Sequence, residues 1–384
     1  MTASKLLSAP GAWLAALALA LPVAAHAQQI PITHPASKDE RVTVDFDRSA
    51  PPQDVSLWGQ DRYVLGFDPN QARRYRHLHF TCRSDTDSAT GRCPTTGNDN
   101  ANVSNTRIPV RFTESRSHRQ IDLAVVGHLR RAASHRSCAP WLATPQGLNS
   151  QFPGSCGANT VDGTGVTMTL PTQELLALHP GKWTAQLVLD LRNDIRSGPV
   201  LATYRFAFDI TVTDRDSAAI LFPDQPVTTP HVGLRLEHFS VGGKTMIQGS
   251  NGLDMCLYDG RGSHSSHLDL SIRDDGAPAP GRAPGMYSVW RHGGGGLPEE
   301  RVDYEILVDH DGRRLRLANG AVQKVENVNS VPVRPVRPPG MNDFVYCVPT
   351  PLTLNTPPID STSKRPGYYR GVLTVEMTVP TSVP

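Results

Sequence analysis

The sequence predicts an all-β protein made of two sandwich domains in tandem. Glycine and proline are abundant, 32 and 33 of 384 residues, and they interrupt the chain too often for long helices. No long stretch keeps a 3.6-residue apolar period, whereas short segments alternating apolar and polar residues recur throughout. The length suits two domains of ordinary size.

The N-terminus reads as an export signal. Lys5 gives a positive start, residues 13–25 an apolar core, and Ala25-His26-Ala27 a small-residue cleavage site. The apolar run is too short to span a bilayer, so it is not read as an anchor. The mature chain is expected to begin near Gln28. Export implies an oxidising compartment, in which Cys82, Cys93, Cys138, Cys156, Cys256 and Cys347 are read as disulfide partners. Sequence alone leaves their pairing open. They lack the Cys-x-x-Cys or His-x-x-x-His spacing of a zinc site, and no metal or cofactor is expected. The formal net charge of +2 gives no bulk attraction to nucleic acid.

Taken in order, residues 28–57 are polar with only brief alternation, and they are expected to form an irregular lead-in or edge strands. Arg73, Arg74 and Arg76 precede Cys82 in a basic, aromatic stretch that leads into a loop. A ligand contact competes there with a solvated strand edge. Ile121, Leu123 and Val125, then Val166, Met168 and Leu170, alternate as sandwich strands. Residues 171–178 read as a short helix between Pro171 and Pro180. Residues 183–191 and 204–212 place a large apolar residue at nearly every second position, as a buried sheet face requires. The loop joining them carries Arg192 and Arg196.

The charged stretch Asp214-Arg215-Asp216-Ser217 reads as a domain junction. The expected division is a signal over 1–27, a first domain over 28–214, a linker at 215–216 and a second domain over 217–384. Strands resume with Val232, Leu234 and Leu236, then Leu253, Met255 and Leu257, then Leu268, Leu270 and Ile272. Asp309-His310-Asp311-Gly312 and Asn319-Gly320 are hairpin signals. Residues 293–296 and 331–340 read as loops, and the glycine run lacks the ending of a phosphate-binding loop. The closing stretch, residues 367–379, puts Leu373, Val375, Met377 and Val379 on one face of a strand. A sandwich normally needs a strand beside it, so the second domain is expected to be one strand short.

No nucleophile elbow or metal-binding helix motif is present. His264 and His267 sit in a serine-rich stretch and read as a solvated loop. Glu299 and Glu300 would suit glycoside hydrolysis only with partners across a cleft, and a secreted β-sandwich carbohydrate-active enzyme or other hydrolase is the alternative function.

Several blocks carry a resemblance. Residues 252–260, Gly-Leu-Asp-Met-Cys-Leu-Tyr-Asp-Gly, residues 365–371, Arg-Pro-Gly-Tyr-Tyr-Arg-Gly, residues 111–117, the cysteine spacing and the Trp183 strand together resemble the CfaE/CblD fimbrial tip adhesins of the alternate chaperone-usher pathway. The resemblance covers nearly all of the mature chain. It implies two immunoglobulin-like sandwiches, an N-terminal adhesin domain and a C-terminal pilin domain lacking its last strand. It further implies the pairings Cys82 with Cys93, Cys138 with Cys156, and Cys256 with Cys347.

The same resemblance implies a non-enzymatic role. The next pilin in the fibre, a major pilin, would donate its N-terminal strand to a groove lined by Leu373, Val375 and Met377 and by Val232, Leu234 and Leu236. A periplasmic chaperone and an outer-membrane usher are the implied assembly partners, and the fimbrium tip at the cell surface is the implied location. A host-surface glycan or protein receptor would meet the basic end of the first domain, at Arg73, Arg74, Arg76, Arg192 and Arg196. A consecutive arginine pair of a relative is replaced here by Asn193 and Asp194.

Overall fold

The protein is described by a computed structural model over residues 30–60, 62–99, 105–194, 198–225, 227–276, 280–339 and 343–380. The expected signal, residues 1–27, and Arg196 lie outside the described residues.

In the first half the strands run Lys38–Asp47, Ala202–Thr213, Gly181–Arg192, Thr106–Glu114, Gln120–Ala132, Gly163–Leu170 and Val55–Ser56 in hydrogen-bonded order. Two short strands flank this path, Tyr63–Phe67 on Gly163–Leu170 and His79–Thr81 on Gly181–Arg192. Thr106–Glu114 joins Gly181–Arg192 through only two residue pairs, Thr113 with Thr184 and Glu114 with Trp183. At that corner the sheet folds over, so its two wings share one core, as sandwich packing requires. Phe112 and Phe208, one from each wing, meet with ring centroids 5.3 Å apart.

Of the two expectations for this stretch, an irregular lead-in or edge strands, the second holds: Lys38–Asp47 is a regular ten-residue strand at the edge of its sheet. Val42, Val44 and Phe46 bury one face of it, and the whole strand pairs in parallel with Ala202–Thr213. The expected helix shortens to a single turn, Thr172–Leu175.

The second half is also all β. A central strand, His267–Asp274, is flanked by Val322–Glu326 and Leu373–Thr378. A larger sheet, centred on Arg301–His310, covers the same core, in which Leu268, Leu270, Ile272, Ile306 and Val308 are fully buried. The turn after Arg301–His310 is left-handed at both Asp311 and Gly312, φ 51° and 67°, as a two-residue hairpin requires. Asn319-Gly320 is not a hairpin, because the strands on either side, Arg313–Leu317 and Val322–Glu326, enter different sheets. Instead Asn319 donates its amide to Asp274 Oδ1 at 2.8 Å and to the Met286 carbonyl at 3.1 Å. The proline-rich stretch holds a short edge strand, Arg334–Val336, where Pro335 is tolerated because one side faces outward.

The segment around Cys256 splits into Ser250–Leu253 and Cys256–Tyr258, which belong to separate sheets. The cysteines pair as Cys82–Cys93, Cys138–Cys156 and Cys256–Cys347.

The two halves meet tightly. Asp214 donates its backbone N–H to the Gly260 carbonyl at 2.7 Å. Arg116 reaches across to the carbonyls of Val328 and Val331 at 3.1 and 2.7 Å. His264 is not a solvated loop residue: its side chain is 13% exposed and its Nε2 lies 3.0 Å from the Glu114 carboxylate.

Candidate functional site

Two surfaces stand out, one in each half. In the first, Asn70 caps a short 3-10 turn, Gln71–Arg73, by accepting from the Ala72 N–H. Arg74 then adopts a left-handed backbone, φ 56°, and a second turn, Tyr75–His77, leads into His79–Thr81. Antiparallel pairing sets His79 opposite Arg192, so Arg192 joins the basic stretch despite its distance in sequence.

These arginines are held in place, not loose. Arg73 lies 3.8 Å from Asp68, and Arg74 lies 3.4 Å from Asp194. Asn193 donates to the Arg73 carbonyl at 3.2 Å. Asn193 and Asp194 therefore tie the turn carrying Arg73 and Arg74 to the strand carrying Arg192. Arg76 bonds His77 Nε2 at 3.0 Å and also Gln71. Arg192 bonds Thr81 Oγ1 at 3.2 Å and also the Gly198 carbonyl.

Beneath this pole lies a residue that sequence reasoning missed. Arg131 is fully buried, and its guanidinium donates to the carbonyls of Leu78, Ser150 and Phe152 and to Thr164 Oγ1, at 2.6 to 2.9 Å. Burial pulls its pKa down to about 9. Burial also holds the pKa of His77 and His79 below the ordinary histidine value. Arg76, Arg74 and Arg131 add to this at His77, and Arg131 and Arg192 at His79. A signal for Arg131 was present, because Leu123, Val125, Leu129 and Arg131 share one face by a period of two.

The second surface surrounds Leu373–Thr378. Among the described residues this strand pairs only with His267–Asp274 and forms an edge of its sheet. Leu373, Val375 and Met377 point to the core yet are only half-buried, whereas Leu268, Leu270 and Ile272 on the neighbouring strand are fully buried. Val232 and Leu234 pack against the same core from an extended segment that forms no strand pairing among the described residues. Asn251 Nδ2 donates to the Gly233 carbonyl at 2.7 Å and anchors that segment. Leu236 departs from the expected groove set. Arg235 is left-handed, φ 48°, which breaks the alternation and leaves Leu236 40% exposed.

The candidate acids form ion pairs instead of a cleft. Arg365 lies 3.1 Å from Glu299, and Arg291 lies 3.2 Å from Glu300. Glu300 also accepts from Gly295 N–H at 2.6 Å, closing the glycine run into a loop. Among the described residues no cluster of three or more potential metal ligands occurs.

Comparison with known proteins agrees with this two-part layout. The family of the first domain of the CFA/I fimbrial protein CfaE matches residues 23–215, and the family of its second domain matches residues 218–381. CfaE of Escherichia coli, a CFA/I fimbrial protein, is 29% identical over 211 residues, which is 54% of this chain and 56% of that protein. The chain thus matches little more than half the length of this curated relative. The solved structure of CfaE, the adhesive subunit of CFA/I fimbria of enterotoxigenic Escherichia coli, has a TM-score of 0.75 at 22% identity, covering 92% of this chain and 95% of that one. A chaperone-tip adhesin complex of CFA/I fimbriae biogenesis gives a TM-score of 0.66 at 22% identity, covering 92% and 99%. These likenesses establish the tandem sandwich fold. With its two domains matched in succession from residue 23 to residue 381, the chain belongs to the CfaE family of fimbrial proteins.

Proposed function

We propose that this chain is the adhesive protein at the tip of a surface fimbria, and that it starts the fibre by accepting a donor strand from the next pilin. The half-buried row Leu373, Val375 and Met377 on an edge strand, facing the core beside Val232 and Leu234, carries this reading. An incoming strand would pair its backbone with the edge and place alternate apolar side chains over that row. Burying four or five such side chains is worth on the order of 6–15 kcal/mol before ordering costs.

In this reading the adhesin domain spans 28–214, the linker 215–216 and the pilin domain 217–384. A cleaved signal sends the chain to the periplasm, where a chaperone covers the groove until an outer-membrane usher exchanges it for the donor. The host-surface glycan or protein receptor meets the basic pole at Arg73, Arg74, Arg76 and Arg192, with Arg196 as a further contact. The family's fimbrial descriptions support this role, and no observation favours a hydrolase, whose candidate acids are bound to arginines.

The test is a melting experiment on the mature chain with a synthetic peptide copying a major pilin N-terminus. A rise in Tm with peptide is expected. A chain whose melting is unmoved by peptide, and which is already a stable monomer, would refute strand acceptance. For the receptor, alanine at Arg74, Arg76, Arg192 and Arg196 is expected to weaken cell binding while fibres still assemble, and unchanged adhesion removes this pole from consideration.

A further inference from the structure

The groove has a near end and a far end. His264, which meets Glu114 of the first half, lies just before His267–Asp274 begins. On that strand Asp269 pairs with Thr378 and Asp274 with Leu373, so the edge strand starts far from the first half and runs toward it. The facing wall runs the other way. Asn251 holds Gly233, and a Cβ at Gly249 would run into the Leu234 carbonyl and lie 3.0 Å from Leu236 Cδ2. From Gly249 the chain returns through Ser250–Leu253 and Cys256–Tyr258 to Gly260 at the junction. Val372 and Leu236 therefore border the far mouth of the groove, one on each wall.

That mouth is apolar and open. Val372 is 61% exposed and Leu236 40%. Beyond Leu236 projects a hairpin, Glu237–Val241 with Lys244–Gln248, closed by Gly242 and Gly243 at φ 58° and 80°. Val241 at its tip is 58% exposed. Tyr368, 72% exposed, leads into Tyr369–Arg370, which pairs with Trp290 and Arg291 next to Arg301. Arg301 also belongs to the far end, since His310 at the other end of its strand bonds the carbonyl of Glu326, the partner of His267.

Scattered apolar residues are ordinary on a surface, but four at one end of a domain, two of them flanking a groove, mark an interface. Neighbouring charges pair within the chain, Lys244 with Asp360 and Arg365 with Glu299. The first half covers the near end, where Arg116 bonds the carbonyls of Val328 and Val331. A strand that fills the groove therefore leaves the rest of its subunit at the far end, against these side chains. Once the strand is seated, contact by that body is intramolecular in effect, so a modest apolar patch suffices to fix it.

We propose that Leu236, Val241, Tyr368 and Val372 form a docking surface for the globular body of the donor pilin, which is then held by a contact between bodies as well as by its strand. The proposal rests on the strand-acceptor reading above and adds to it a second, separable interface.

The probes are the major pilin of the same fibre, its own groove filled by a linked donor strand, and a peptide copying its N-terminal strand. Each is titrated into the full mature chain by calorimetry. The pilin is expected to bind about tenfold or more tighter than the peptide. V241S/Y368S/V372S is expected to remove most of that excess and leave peptide affinity unchanged. Equal affinity of pilin and peptide overturns the proposal and spares strand acceptance, as does an excess that survives the triple variant. Binding by neither probe refutes strand acceptance, and the proposal with it. A chain that dimerises in sedimentation, and loses the dimer in the triple variant, assigns this end to a second copy and also overturns it. Should the triple variant fold poorly by circular dichroism, V241E decides alone: an undiminished excess overturns the proposal and a lost one upholds it.

Discussion

His264 Nε2 and Glu114 Oε1 meet at 3.0 Å across the junction of the two halves, 150 residues apart in sequence. Burial pushes the Glu114 pKa up, but the bond from His264 and those from the Ser117 N–H and hydroxyl outweigh it and hold the pKa at about 2. A depressed carboxylate stabilises the fold fully above its ordinary pKa, and that stability fades as pH falls toward the depressed value. Stability is therefore expected to drop between about pH 4.5 and pH 2, with Glu114 contributing on the order of 3 kcal/mol at neutral pH. Denaturant unfolding of the wild type and E114Q at pH 7 and pH 3 checks this: the two should differ clearly at pH 7 and converge in acid.

Arg131→Met is expected to cost about 3–5 kcal/mol, because three carbonyls and a threonine hydroxyl lose their buried donor. Part of the effect should fall on the pole, since Leu78 and Ser150 are released together. Melting and cell-binding assays on the same variant measure both. A variant that melts normally would show that water replaces the guanidinium.

Val375→Asp and Met377→Asp are expected to reduce donor-peptide binding by about tenfold or more, because each puts a charge into apolar contact. Thr374→Ala, on the exposed face of the same strand, should change binding little. Equal losses from both faces would contradict the alternation assigned to this strand.

The disulfides should differ in worth. Cys256–Cys347 spans 91 residues and Cys82–Cys93 spans 11. Loop entropy alone assigns about 4.6 kcal/mol to the first and about 2.8 kcal/mol to the second. Paired serine substitutions followed by denaturant unfolding test the ranking.

Much of this fold was legible because its strands alternate cleanly, as at Trp183 to Leu191 and Tyr204 to Val212. Lys38–Asp47 was harder to read because charges at Lys38, Asp39, Glu40 and Arg41 mask its alternation, and its parallel partner lies far along the chain. Leu236 was placed one step beyond where Arg235 breaks the pattern, a left-handed residue that sequence does not announce. At the pole the surface arginines were visible, and Arg131 was in register with Leu123, Val125 and Leu129 but was passed over, since a buried cation runs against the expectation that charge faces water. The His264–Glu114 contact depends on how two halves dock, which no local pattern encodes.

The strand Ala202–Thr213 runs straight into the junction and is hydrogen-bonded on both sides, through ten residue pairs with Lys38–Asp47 and eleven with Gly181–Arg192. A pull on the second half while the first is held at its pole would load that strand along its own length. Its two ladders must then shear together instead of opening one bond at a time. In the role proposed above, Ala202–Thr213 would work as a tether, clamped along its length by both neighbours, between the pole and the second half.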